Sequence, residues 1–168
     1  MKKVLIPIDG SENALLAVRH VVNRTMSEGP AEVHLLHVRP LFSRHIARFT
    51  SRRDRAGWHN ELAERALAPA RQLLQRHSVA HAAHIAFGNR AEAIDQVAQR
   101  LRVDQIVMGA ARKNPLTRLL EGSVTSGVLT LAHVPVEVIA GSAESPLEKY
   151  GLPAGIGAAI AALILAAD

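Results

Sequence analysis

Apolar residues fall along this chain in two alternating periods. Short continuous runs, Val4-Leu5-Ile6-Pro7-Ile8 and Glu32-Val33-His34-Leu35-Leu36-His37-Val38, read as strands buried on both faces. Between them Ala14, Leu15, Val18, Val21 and Val22 recur at helical spacing, behind Ser11 as an N-cap and before the breaker Gly29-Pro30. A polar, arginine-rich connection over about 39–57 leads to a helix over about 58–76. Leu62, Ala66, Leu73 and Leu74 are its expected apolar face, with Pro69 a possible kink. His81 to Phe87 reads as a third strand, Ala91 to Leu101 as a helix and Asp104 to Met108 as a strand ending at Gly109. Val124 to Leu131 reads as a helix and Val136 to Ala140 as a last strand. Strict alternation of strand and helix predicts an α/β fold: a doubly wound, five-stranded parallel sheet with right-handed crossovers and helices on both faces. Ligands in such sheets bind beyond the carboxyl ends of the strands, where Asp9, Val38 and Gly109 are expected.

Composition and charge adjust this picture. The chain has 168 residues and is 48% hydrophobic, enough for one domain with a real core. Aromatics make up 3%, too few for the stacking platforms of a nucleic-acid binder, so no nucleic-acid partner is expected. The formal net charge of +5 favours anionic ligands without identifying one, and the absence of cysteine removes disulfides and thiolate metal sites. The apolar run after Lys2-Lys3 is too short for a signal peptide, which predicts a first strand in a cytoplasmic protein.

The segment GAARKNPLTRLLEGSVTSGVL, from Gly109 to Leu129, carries the candidate chemistry. Gly109 ends a strand, residues 110–121 intervene with Arg112, Lys113 and Arg118 among them, and Gly122-Ser123-Val124-Thr125 opens a helix. Glycine lets backbone approach a phosphate closely, and a helix start supplies free N–H groups and the positive end of a dipole. Gly and Ser also begin many helices that bind nothing, so the spacing matters more than the pair.

That spacing resembles the universal stress protein family. Its nucleotide-binding members carry a glycine, two residues, a second glycine, nine residues, then glycine and Ser or Thr. Gly109 matches the first position and Gly122-Ser123 the last pair, while Arg112 stands where the second glycine is expected. Pro7-Ile8-Asp9-Gly10-Ser11-Glu12-Asn13, Leu36-His37-Val38 and His133-Val134-Pro135-Val136 are similar to further family segments in the same order, over about residues 1–140. The resemblance implies a domain over 1–141 that binds ATP, with Mg²⁺ as a companion ion and Asp9 as the one protein group offered to it. Asp9 would lie beside the adenosine end and Val38 would hold adenine through backbone groups, with Pro7 and Met108 adjoining. Gly109 would pass the ribose and phosphates, and Gly122, Ser123, Val124 and Thr125 would cradle the phosphates. Arg112 would either obstruct the phosphate space or grip phosphate with its guanidinium. A homodimer through the 136–140 strand is implied, together with an unknown protein partner. The expected role is an ATP-dependent sensor or partner-binding module; the alternative is a dimeric interaction protein of the same fold that binds no nucleotide. A slow ATPase ranks last, because no base for water activation is apparent.

Other constellations contribute less. His34/His37 and His81/His84 have H-x-x-H spacing, but residues three apart on a strand point to opposite faces, so neither pair is expected to chelate. His37 is expected near the pocket rim. Arg44, Arg48, Arg52 and Arg55 would form one basic helical face, read as a solvated surface in preference to an anion-binding patch. After Ala140 the composition shifts: residues 142–168 read as a linker and an apolar helical tail. From Leu152 to Ala167 no charge occurs, which as a helix spans ~24 Å, short of the ~30 Å of a bilayer core. Packing of this tail against protein is expected in preference to membrane contact or an unattached tail.

Overall fold

In the computed structural model, residues 1–40, 52–110 and 124–141 are described, with backbone alone over 52–60. Five strands are present: β1 (Lys2–Pro7), β2 (Ala31–Arg39), β3 (His81–Phe87), β4 (Gln105–Ala110) and β5 (Val136–Ala140). Helices α1 (Glu12–Glu28), α2 (Arg52–Arg76), α3 (Arg90–Leu101) and α4 (Val124–Leu131) alternate with them. All pairings are parallel and the strand order is β3-β2-β1-β4-β5, the doubly wound α/β sheet that the alternation predicts. The expected apolar C-terminal helix and the rest of 142–168 lie outside the described residues, as do Arg44 and Arg48 of the expected basic face.

Local signals account for the element ends. Ser11 Oγ accepts the Ala14 N–H at 3.2 Å and caps α1, and Gly29 ends that helix at φ +107°. Asn89 Oδ1 accepts the N–H groups of Ala91 and Glu92 at 3.0 and 3.4 Å to start α3. The α2 helix begins at Arg52, earlier than the expected 58, because helical backbone extends back into the polar connection. It continues through Pro69. Its buried stripe is Ala63, Leu67, Ala70 and Leu74: of the expected face Leu74 is buried, while Leu62, Ala66 and Leu73 are only half-buried. Alanines at 63 and 70 let α2 lie close, and Leu67 and Leu74 fill the contact between and beyond them.

Two apolar layers sandwich the sheet. Val4, Ile6, Val33, Leu35 and Val107 face α1 and α2, where Val18, Val21, Leu67 and Leu74 are fully or nearly fully buried. Leu5, Leu36, Ile106 and Met108 face α3 and α4, meeting Ile94, Val97, Ala98 and Val128. Period-two alternation on strands that bury both sides explains why β1, β2 and β4 read as continuous apolar runs.

The sheet changes direction between β1 and β4, and there the pairing is short. β1 pairs β2 over its whole length, from Lys2↔Ala31 to Pro7↔Leu36. Its ladder with β4 is confined to Val4↔Gln105 and Leu5↔Ile106. Lys3 turns its carbonyl to β4, accepting the Asp104 N–H at 2.9 Å, while Ile8 turns its N–H to Leu36 of β2 at 2.8 Å. By that alternation position 7 faces β4, and proline has no N–H to offer. Pro7 therefore stops the ladder two residues after Leu5, and a crevice opens toward the carboxyl ends.

Candidate functional site

A cavity of about 670 Å³ occupies this crevice. Leu36, Val38, Met108 and Ile94 supply its apolar wall, contributed by β2, β4 and α3. Asp9, Ser11, Asn13, Arg90, Thr125 and Ser126 supply its polar groups. A large apolar pocket with a few convergent polar groups at a switch point is the usual form of a small-molecule site in this architecture.

Of the residues singled out by sequence, Pro7, Asp9, Val38, Met108, Gly109, Val124 and Thr125 all line the cavity. They come from β1, β2, β4 and α4, more than 100 residues apart at the extremes, and meet only because β1 and β4 are neighbours. Arg112, Gly122 and Ser123 lie outside the described residues. Asp9 Oδ1 accepts the Ser11 N–H at 2.9 Å, a turn that aims the chain into α1.

Gly109 has a structural reason to be glycine. A Cβ there would land on the Asn13 carbonyl and sit 2.9 Å from the Ala14 nitrogen. The bare Cα lets the start of α1 seat directly on β4. Gly141, whose N–H donates to Ala110 at 2.8 Å, likewise leaves room for the Asn13 side chain. Gly127 of α4 lies so near α3 that a Cβ would come within 2.7 Å of Ala91 Cβ. Gly109 and Gly141 thus make room for Asn13, which is 6% exposed, while Gly127 brings α4 against α3.

Sequence reasoning missed Ser11, Asn13, Leu36, Arg90, Ile94 and Ser126, among others, as lining residues. Arg90 and Ile94 carry a legible signal, since they are four apart on a helix that starts just after the carboxyl end of β3. Asn13 had none, because its burial depends on glycines about 100 residues away.

The histidines are arranged across strands. His34 Nδ1 and His84 Nε2 lie 3.1 Å apart on adjacent β2 and β3, and Glu32 Oε1 is 3.3 Å from His34 Nε2. That last geometry is an electrostatic contact and not a hydrogen bond, as His34 Nε2 is buried without a hydrogen-bond partner. Burial first, then the neighbouring His34 and Arg100, hold the His84 imidazole below its ordinary value of 6.5. His37 does not line the cavity; its Nδ1 meets the Ile8 carbonyl at 2.7 Å and ties the ends of β1 and β2. His133 and Asp95 pair at 3.1 Å beside Gln99, away from the cavity lining, with the His133 side chain 70% exposed. Among the described residues no group of three or more His, Cys, Asp or Glu is placed to hold a metal ion. Among the same residues no helix is long and apolar enough to cross a membrane.

A family model described as the universal stress protein family matches residues 1–140. The chain belongs to the universal stress protein family. It is 31% identical over 144 residues to Universal stress protein MJ0531 of Methanocaldococcus jannaschii, covering 82% of this chain and 81% of that one. The solved structure of MJ0577, a universal stress protein from the same organism, superposes with a TM-score of 0.67 at 29% identity over 83% of this chain and 96% of that one. A family member from Arabidopsis thaliana, solved with AMP bound, shares the fold at 20% identity and a TM-score of 0.60, over 83% of this chain and 92% of the other. Among universal stress proteins, then, the five-stranded parallel sheet is shared, and in this member it carries the crevice just described.

Proposed function

We propose that this universal stress protein binds an adenine nucleotide, ATP with Mg²⁺, in the crevice between β1 and β4, and acts as a nucleotide-dependent sensor or partner-binding module. The observation that carries the reading is the cavity itself: about 670 Å³, at the switch point, with an apolar wall for a base and hydroxyls at the start of α4 for phosphates. A plant member of the family holds AMP, which supports adenine as the base. The residues present suit such a ligand. Val38, at the end of β2, offers backbone groups to a base edge, and Leu36 and Ile94 offer surface to its face. Thr125 and Ser126 lie at the first turn of α4, where N–H groups and the helix dipole favour phosphate. Gly122 and Ser123 precede that turn in sequence and complete the proposed cradle. Asp9 is the one carboxylate among the described lining residues, so Mg²⁺ would rest mainly on phosphate oxygens and water, as this ion commonly does. Self-association through the outer edge of β5, where Val138 is 38% exposed, is part of the proposal.

Calorimetric titration of the purified full chain tests the reading. ATP with Mg²⁺ is expected to bind, and Gly122→Val is expected to abolish binding by blocking backbone approach. The same affinity in that variant would remove the phosphates from this helix start. Absence of binding by ATP and AMP alike would favour the alternative, an interaction protein of the same fold without nucleotide, for which Arg112 in place of a glycine is the motive.

A further inference from the structure

Two helix starts stand side by side at the carboxyl edge of the sheet. α3 and α4 lie on the same face, where Ile94, Val97, Ala98 and Val128 share one apolar layer. Each follows a strand of a parallel sheet, so each begins at the carboxyl end. The two starts are also level. Gly127, in the first turn of α4, approaches Ala91, the second residue of α3, so closely that a Cβ on it would lie 2.7 Å from Ala91 Cβ. Arg90 precedes Ala91, Ser126 precedes Gly127, and both line the cavity together with Val124 and Thr125. Side chains on a helix tilt toward its N-terminus, so the Arg90 stem leaves α3 past its first turn, at the end where α4 also begins.

This position is electrostatically unfavourable for an arginine with no ligand nearby. A helix start is the positive end of the dipole; it favours anions and disfavours a cation. Arg90 is the first residue of α3 and has a second helix start beside it. Glu92 is the acidic residue of the same turn, yet among the described residues no hydrogen bond or ion pair engages Arg90, whose side chain is exposed. The N–H groups of Ala91 and Glu92 are already taken by the Asn89 side chain, so the backbone of α3 leaves the anion to its side chain. Among the described lining residues Arg90 is the one cation and Asp9 the one carboxylate. A guanidinium presents a planar fork of donors that matches phosphate oxygens, and its charge strengthens each hydrogen bond.

We propose that Arg90 is a phosphate-contacting residue, which brings its guanidinium from α3 to the anion held at the start of α4. This assignment rests on the nucleotide reading above and extends the proposed cradle to a second helix. It makes Arg90 a determinant of the phosphates of the ligand and not of its base.

Adenosine, AMP and ATP with Mg²⁺ are titrated into the full chain and into Arg90→Ala and Arg90→Lys, at low and at moderate salt. Arg90→Ala is expected to leave adenosine affinity unchanged and to weaken ATP about tenfold, or ~1.4 kcal/mol, in the range of one hydrogen bond to a charged group. The deficit is expected to shrink as salt rises. Arg90→Lys is expected to recover part of it, since an ammonium keeps the charge and gives up the fork. Ligand-free Arg90→Ala is expected to melt at or slightly above the wild-type temperature, because a cation is removed from a helix start. A deficit already complete with AMP assigns the guanidinium to the first phosphate, and one that appears only with ATP assigns it to the outer phosphates; either supports the proposal. The same loss for adenosine as for ATP would make Arg90 a base or ribose contact and overturn it. Unchanged ATP affinity in Arg90→Ala would also overturn it. If wild type binds none of the three, the nucleotide reading itself fails and takes this assignment with it, a result distinct from a failure of Arg90 alone.

Discussion

Replacing Gly109 with alanine separates two reasons for a glycine at the end of β4. If the position is bare only so that a ligand can approach, the ligand-free variant should be as stable as wild type. The structure gives another reason. The added Cβ would collide with the Asn13 carbonyl and lie 2.9 Å from the Ala14 nitrogen, inside the 3.0 Å limit that real Cβ contacts respect. Both obstacles are backbone, so no rotamer change relieves them. α1 is pinned at this end by the Ser11 cap, and β4 is held on its far side from Ile106↔Val136 to Ala110↔Ala140. Overpacking of a tight site costs about 1–3 kcal/mol, and a double backbone collision belongs at the upper end. For a chain of this size each kcal/mol lowers the melting temperature by roughly 2–4 °C, so a drop of roughly 6–12 °C is expected. Calorimetric or circular-dichroism melts of ligand-free protein provide the measurement. A melting temperature within about a degree of wild type would refute the packing argument and return Gly109 to a purely ligand-facing role.

Three further outcomes are expected. Gly141→Ala would crowd the Asn13 side chain, so Asn13→Ala should relieve Gly141→Ala while leaving Gly109→Ala unrelieved; additive effects in the Gly141 cycle would deny the contact. Stability should fall on acidification below about 6.5, because the fold holds the His84 imidazole below that value and the unfolded chain takes up its proton first. Urea midpoints from pH 8 to pH 5 measure this, and His84→Gln should flatten the slope; an unchanged slope would place the proton uptake elsewhere. Asn89→Ala removes the cap of α3 and should cost about 1 kcal/mol, read as a melting shift of a few degrees.

The sheet was legible because its strands are apolar on both faces and its helices carry regular stripes. Even His81 to Phe87, with alternate residues exposed, was marked by Gly88-Asn89 at its end and a helical period beyond. The start of α2 was missed because residues 52–57 are mostly polar: Arg52 and Arg55 share a helical face, but no apolar stripe separates that stretch from a polar connection. The half of the site that follows a strand, Asp9, Val38, Met108 and Gly109, could be read from position alone. The half that depends on packing could not. Asn13 is buried because Gly109 and Gly141 have no side chains, and no local pattern encodes that absence. The His34–His84 contact was hidden for a related reason: the H-x-x-H spacing pointed along a strand, whereas the pairing runs between strands and depends on register.

The strand order has a consequence for how the chain comes together. β1 finds β2 after one helical crossover, but Val4 and Leu5 meet Gln105 and Ile106 only across some hundred residues of intervening chain. Contacts of such separation form late, since their closure entropy is spent before any reward. During synthesis β1, α1, β2, α2 and β3 can assemble while the other edge of β1 still waits, apolar and unpaired, a state open to mispairing with other chains. The two walls of the crevice are therefore joined only once β4 has been made, and nothing that needs both of them can bind a nascent chain that ends before Gln105.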